Sequence, residues 1–242
     1  MADASPRYSI VIPIHNEEEC VEDEVAELTA ELDERHVDYE LILAENGSSD
    51  RTPEIAEALA SQNPRIQALR VPIPDYGEAM KMGMLLGRGD FVVNFDIDFH
   101  DVIFMLKAGG LLAKTNAGVV VGSKLMEGAQ DKRSPARHMV SLGFTTILRL
   151  LFDRHMDDTH GMKALRRDVV QRFAPQTVLT TDVFDTELII RARRAGIVVK
   201  AIPVKVEEKR KARSSIVRRI PRTMKNLLRL RVVLWREGNS GS

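Results

Sequence analysis

The chain reads as a regular alternation of short apolar runs and longer amphipathic stretches. Tyr8 to Ile14 is an apolar run closed by Pro13-Ile14-His15-Asn16, and an acidic segment with helical periodicity follows it to about Arg35. The pattern then repeats: strand Tyr39 to Ala44, turn Asn46 to Asp50, helix Thr52 to Ala60, strand Ile66 to Val71. A helix from Gly77 to Leu86 leads through Gly87-Arg88-Gly89-Asp90 into the strand Phe91 to Phe95, which ends at Asp96. Strands this continuously apolar, alternating with helices, predict a mainly parallel sheet covered on both faces. Ala117 to Ser123 and Ile197 to Ile202 read as further strands, and Met139 to Phe152 and Phe184 to Ala195 as helices. From Ser215 to Trp235, Ile216, Ile220, Met224, Leu227 and Leu228 alternate with Arg and Lys at helical spacing, with Pro221 expected to start or kink that helix.

At 242 residues the chain suits one α/β core, since single cores stop growing at roughly 250–300 residues. The expected division is a catalytic domain over residues 1–214 and a basic helix with a loose tail over 215–242, packed on the domain or lying at a membrane surface. Lys plus Arg equal Asp plus Glu at 35 each, which excludes a whole-chain electrostatic case for nucleic acid. The charge is nevertheless segregated: acids such as Glu17, Glu18, Glu19, Glu22 and Asp23 crowd the first helix, and bases crowd the last. One cysteine, Cys20, precludes an intrachain disulfide and favours a reducing cytoplasm. The sequence shows neither a secretory leader pattern nor an apolar run of the roughly 18 residues a bilayer span needs, so a cytoplasmic or peripheral protein is expected.

In open α/β sheets ligands gather at the carboxyl ends of strands. The loops there are polar: His15-Asn16-Glu17 after the first strand, Glu45-Asn46-Gly47-Ser48-Ser49-Asp50 after the second, and Asp96-Ile97-Asp98-Phe99-His100-Asp101 after the fourth. An Asp-x-Asp at a strand end places two carboxylates near one hard cation, with a diphosphate supplying further oxygens, which suits Mg²⁺ or Mn²⁺. On the tripeptide alone, a pair of solvated acids is the commoner reading, and it is the polar company of the other strand-end loops that favours a cation. Asn46 and Ser48 likewise read as ligand contacts or as caps of the following helix.

Taken together these segments resemble family-2 glycosyltransferases of the GT-A fold, a three-layer α/β/α architecture, and within them the dolichol- and polyprenol-phosphate sugar synthases. Ser9-Ile10-Val11-Ile12-Pro13-Ile14-His15-Asn16-Glu17 is similar to the family's opening Val-Ile-Pro-x-x-Asn-Glu, and Glu45 to Thr52 to its Asp-Asp-Gly-Ser-x-Asp-x-Thr. Gly77, Ala79, Gly83, Gly89 and Asp90 keep the spacing of its glycine run, Gly122-Ser123-Lys124 resembles its Gly-Ser-Arg, and Asp158 to Lys163 its Asp-x-x-Gly-Phe-Arg/Lys. The resemblance implies that Pro13, His15, Asn16, Glu17, Glu45, Asn46, Ser48, Asp96 and Ile97 bind a nucleoside-diphosphate sugar. It implies a metal shell of Asp96, Asp98 and His100, and catalytic roles for Asp98, Asp158, Lys163 and Glu187. Two departures stand out: Glu45-Asn46 replaces a paired Asp, and His100 stands where relatives often carry Gln. Asp101 receives no role.

The implied reaction is inverting transfer from GDP-mannose or a UDP-sugar to a polyprenyl or dolichyl phosphate. A hydroxyl acceptor needs a general base, for which Glu187 is the candidate, read alternatively as a helix-start acid favoured by the macrodipole. A phosphate needs none, since its second pKa of about 6 leaves it largely dianionic near neutrality. Cations to meet it are Lys124, Arg133, Arg137, Lys163, Arg210 and Arg213, with Ser214 and Ser215 beside a worn terminal motif. A lipid acceptor is met at a bilayer, and the helix from Met139 and the basic helix from Ser215 are the segments to meet anionic lipid. The competing readings are a soluble glycan or small-molecule hydroxyl acceptor, and a degenerate, non-catalytic nucleotide binder. A dinucleotide-binding Gly-x-Gly-x-x-Gly after the first strand is absent, which disfavours a dehydrogenase. Oligomeric state is left open, a homodimer included.

Overall fold

The computed structural model describes residues 6–131, 135–154, 156, 159, 161–181, 183–206 and 216–240. Its first half follows the hydrophobic pattern closely: β1 (Tyr8–Ile14), α1 (Val21–Glu34), β2 (Tyr39–Asn46), α2 (Thr52–Gln62), β3 (Ile66–Val71), α3 (Tyr76–Leu86) and β4 (Phe91–Asn94). Then come α4 (Val102–Lys114), β5 (Ala117–Ser123), a short β6 (Gln130–Asp131) and α5 (Pro135–Leu151). The second half adds β7 (Lys163–Arg166), α6 (Arg167–Phe173), α7 (Phe184–Arg194), β8 (Val198–Pro203), a short β9 (Lys205–Val206) and α8 (Ile216–Ser240).

Seven strands form one sheet in the order β3-β2-β1-β4-β7-β5-β8. All neighbours run parallel except β7, which is antiparallel to both β4 and β5. The pleat sorts alternate residues to opposite faces. Ile10, Ile12 and Ile14 join the core under α1, α2 and α4, whereas Val11 joins the opposite core with Ala79, Met80 and Met84 of α3, Leu188 of α7 and Leu227, Leu230 and Leu234 of α8. This is the three-layer α/β/α arrangement expected, with the C-terminal helix as part of one layer.

The short β6, α6 and β9 escaped the sequence pattern, as did two elements of more consequence, α4 and β7. α4 is apolar on nearly every side and carries Gly109-Gly110, so it lacks the polar stripe that marks a surface helix. Gly109 is required by contact: a Cβ there would lie 2.3 Å from the Tyr8 hydroxyl. Asp101, without a role in the sequence reading, is the N-cap of this helix, its Oδ1 accepting from Phe104 N at 2.8 Å. β7 is only four residues long and holds a lysine, so it does not read as a strand, yet it sits inside the sheet between β4 and β5. Pro221, expected to start or kink the last helix, lies within α8, which begins five residues earlier at Ile216.

Candidate active site

The carboxyl ends of β1, β2 and β4 adjoin, and side chains knit their loops together. His15 Nδ1 lies 2.7 Å from the Asn46 carbonyl, Asn16 N donates to Ser48 Oγ at 3.0 Å, and Ser49 N donates to Asn16 Oδ1 at 2.8 Å. Glu17 N donates to Thr52 Oγ1 at 2.8 Å, and Asp50 accepts from both Glu18 N and Thr52 N. Asn16 is left-handed, with φ of 55°, a conformation that Asn tolerates better than most side chains. Asn46 accepts from Asp75 N through Oδ1 at 2.5 Å, and Asp75 caps α3 by accepting from Glu78 N. Asn46 and Ser48 therefore hold loop to loop rather than capping the helix behind them.

Glu45 is buried, and its longer arm turns back so that Oε1 accepts from Ser48 N at 2.6 Å. Its Oε2 makes no hydrogen bond and lies 3.8 Å from Arg70 Nε. Arg70 was missed in the sequence, although it is the register partner of Glu45 across the β2–β3 pair.

After β4 the chain makes a tight turn, Phe99 N donating to the Asp96 carbonyl at 3.1 Å. Ile97 is buried in the core, so its side chain anchors the turn instead of lining a nucleotide pocket. That anchoring leaves Asp96 and Asp98 on the outer side. Asp96 is open to solvent yet surrounded by protein at the floor of the cleft. Desolvation there raises its pKa; Asp98 and Asp185 raise it further, while Lys163 and Lys124 pull it down, and the net shift is upward from 3.8.

Below this turn lies a buried polar cluster. Lys163 Nζ donates to Asp185 Oδ2 at 2.6 Å and to Asn94 Oδ1 at 3.0 Å, and the Tyr76 hydroxyl donates to Asp185 Oδ2 at 3.2 Å. Lys163, expected to meet substrate, is thus 1 % exposed and serves as the internal counter-charge of the acidic floor. Asp185 was passed over in favour of its neighbour Glu187. Their order is reversed in the structure: both lie in the first turn of α7, but residues two apart on a helix point about 200° apart, so Asp185 meets Lys163 while Glu187 turns into the core. Both oxygens of Glu187 are taken, by Val178 N, Leu179 N and Arg191 Nε at 2.7–3.0 Å, and it is fully buried. It is neither a poised base nor merely a helix-start acid: it folds the segment before α7.

His100, expected in a metal shell, is largely buried with Nε2 4.0 Å from Glu27 of α1. Among the described residues no group of three or more His, Cys, Asp or Glu side chains is disposed to hold a metal. The donors left are Asp96 and Asp98, and the excess of carboxylates around Asp96 fits a hard cation that draws its remaining oxygens from a diphosphate. Lys124 stands close enough to Asp96 for its charge to be felt, beside Gly161, where a Cβ would lie 3.2 Å from its Nζ. Asp158, Arg133, Arg210, Arg213, Ser214, Ser215 and the side chain of Arg137 lie outside the described residues.

A mainly parallel seven-stranded sheet with an Asp-x-Asp turn at its carboxyl edge defines a GT-A-like α/β protein. Solved structures agree: glucosyl-3-phosphoglycerate synthase from Mycobacterium tuberculosis, solved with Mn²⁺, uridine diphosphate and glucosyl-3-phosphoglycerate, superposes with a TM-score of 0.66 at 23% identity over 94% of this chain and 80% of that one. Mannosyl-3-phosphoglycerate synthase from Rubrobacter xylanophilus gives 0.70 at 17% identity, over 97% of this chain and 75% of that one. The chain belongs to glycosyl transferase family 2, whose model matches residues 9–173. Among curated relatives, glycosyltransferase AglD of Haloferax volcanii is 30% identical over 225 residues, 90% of this chain and 36% of that protein. Dolichyl-phosphate beta-glucosyltransferase ALG5A of Trichomonas vaginalis is 28% identical over 217 residues, 85% of this chain and 67% of that protein. This chain thus spans about a third of the length of the first and two thirds of the second.

Proposed function

We propose that the protein transfers a sugar from a nucleoside-diphosphate sugar to a phosphate-bearing acceptor, a polyprenyl phosphate, with inversion and with help from a divalent cation. The observation that carries this reading is the juxtaposition of the knitted β1 and β2 loops with the Asp96–Asp98 turn. Asn16, Glu17, Glu45 and Arg70 lie where a base and ribose would seat, and Asp98 with Asp96 would hold a metal against the diphosphate. That cation, when bound, supplies Lewis-acid neutralisation of the leaving diphosphate.

The acceptor follows from what the acids near the site are doing. A hydroxyl acceptor requires a carboxylate free to take a proton, and among the described residues the two acids of α7 are engaged in ion pairs, Glu187 with Arg191 and Asp185 through Oδ2 with Lys163, while Asp185 Oδ1 is buried without a hydrogen bond. A phosphate brings its own negative charge and asks for cations instead; Lys124 is at hand. The dolichyl-phosphate relatives support the same choice.

The test is a thermal-shift panel of nucleoside diphosphates with and without Mn²⁺, followed by transfer assays from the best-binding donor to a short-chain polyprenyl phosphate and to the corresponding prenol. Metal-dependent stabilisation and transfer to the phosphate alone are expected. Absence of any metal-dependent nucleotide binding would overturn the enzyme reading, and transfer to hydroxyl acceptors only would overturn the phosphate.

A further inference from the structure

α8 carries two apolar stripes. One, formed by Leu227, Leu230 and Leu234, is docked on the sheet layer and is at most 2 % exposed. The other, Leu228, Val232 and Trp235, stays open at 52, 47 and 61 % exposure. At about 100° per residue the second stripe is turned roughly 130° from the first, so the core does not explain it. A docked surface helix of this kind ordinarily shows a polar outer face.

The charges around the open stripe are of one sign. Lys225, Arg229, Arg231 and Arg236 flank it and are exposed. The only acid of the helix, Glu237, is bonded to Arg191 of α7 by two contacts of 2.8 and 3.1 Å, which ties it to the domain. No carboxylate on the helix therefore opposes an anion approaching its outer face. In a chain whose formal charge is zero, this is a local concentration of positive charge around a Leu, a Val and a Trp. Aromatic and aliphatic side chains framed by bases match an interface in which acyl chains lie under anionic headgroups.

The helix is also anchored to the rim of the candidate site. Asn226 Nδ2 donates to Thr181 Oγ1 at 2.9 Å. The neighbouring Thr180 carbonyl accepts from Gly77 N at the start of α3, where a Cβ would lie 2.2 Å from that backbone. The next residue, Tyr76, bonds Asp185. We infer that the outer face of α8 is a docking surface for an anionic lipid bilayer, lying in the plane of the headgroups and holding the cleft beside the membrane. This deepens the proposed lipid-phosphate acceptor and rests on it for its purpose, but the binding itself is testable alone.

Trp235 is the only tryptophan, so the protein carries its own reporter. The full chain is mixed with phosphatidylcholine vesicles with and without phosphatidylserine, and sedimentation and Trp emission are followed. Binding to the anionic vesicles, a blue shift of Trp235, quenching by brominated acyl chains and weakening at high salt are expected. Leu228→Ser/Val232→Ser should reduce partitioning about tenfold or more, and Lys225→Gln/Arg229→Gln/Arg231→Gln should remove its dependence on phosphatidylserine. Neither variant should change metal-dependent nucleotide binding in solution, which also shows that the fold is intact. No sedimentation would overturn the inference, as would sedimentation with unchanged Trp235 emission, which would shift the contact to exposed Met139, Leu142 and Leu150 of α5. A concentration-dependent dimer that buries Trp235 without lipid would overturn it as well, assigning the stripe to a second copy. Failure of the glycosyltransferase reading has a separate signature: vesicle binding intact, nucleotide binding absent.

Discussion

Lys163 Nζ lies 2.6 Å from Asp185 Oδ2, and the lysine of this buried pair supplies positive charge under the acidic turn at Asp96. Removing the ammonium leaves Asp185 uncompensated in the interior and increases the like-charge load on Asp96. Lys163→Met should cost about 3–5 kcal/mol, read from urea unfolding, because one partner of a buried pair is left behind. The double variant Lys163→Met/Asp185→Leu should recover part of that loss. A single-variant cost within about 0.5 kcal/mol would show that the pair is not buried as described.

Asp98 stands apart from that internal network and should behave oppositely. Asp98→Ala is expected to leave the unfolding midpoint of the free protein nearly unchanged while abolishing metal-dependent stabilisation by a nucleoside diphosphate. For the wild type at about 100 times Kd that stabilisation is about 2.7 kcal/mol, large enough to read by thermal shift. Retained metal-dependent binding in the variant would move the metal elsewhere.

Glu187→Gln separates folding from chemistry. Its carboxylate accepts from two backbone amides and from Arg191, so the neutral amide should destabilise by about 1–3 kcal/mol. Turnover per folded molecule should survive. Lost turnover with unchanged stability would restore Glu187 as the base.

Acid sensitivity should trace in part to Glu40, buried at the other end of the sheet. Desolvation pushes its pKa up, but the Ser9 hydroxyl, the Arg88 backbone and side chain, and the Arg88 charge more than offset this, leaving it below 4.5. A carboxylate with a depressed folded pKa stabilises above its unfolded value, and that contribution is lost as pH falls through the folded one. Wild-type urea midpoints should therefore fall on acidification below 4.5, and the gap to Glu40→Gln should close over the same range. A constant gap would mean that the ionised form is not what the network favours.

The hydrophobic pattern located β1, β3 and β5 to the residue; in β1 and β5 a strand buried on both faces is a local, uninterrupted signal, whereas β3 is a partly buried edge strand. It failed at α4, where glycines and the lack of a polar stripe hide a helix packed along one face, and at β7, whose lysine reads as surface. Asp96 and Asp98 were legible for a similar reason: two acids at the end of an apolar run need no distant partner to be noticed.

What the sequence by itself determined was the alternation of elements, the sheet's predominant direction and the carboxylate pair at the edge of β4. Only the tertiary structure decided what neighbouring charges do. β7 inserts antiparallel beside β4 and brings Lys163 to Asn94, 69 residues away, and α7 turns Asp185 toward that lysine while burying Glu187 against Arg191. His100 turns to Glu27, and α8 both docks on the domain and keeps a second apolar stripe outside. Periodicity is set by neighbours within a few residues, whereas the partner of a buried charge is set by strand order, which no local pattern encodes.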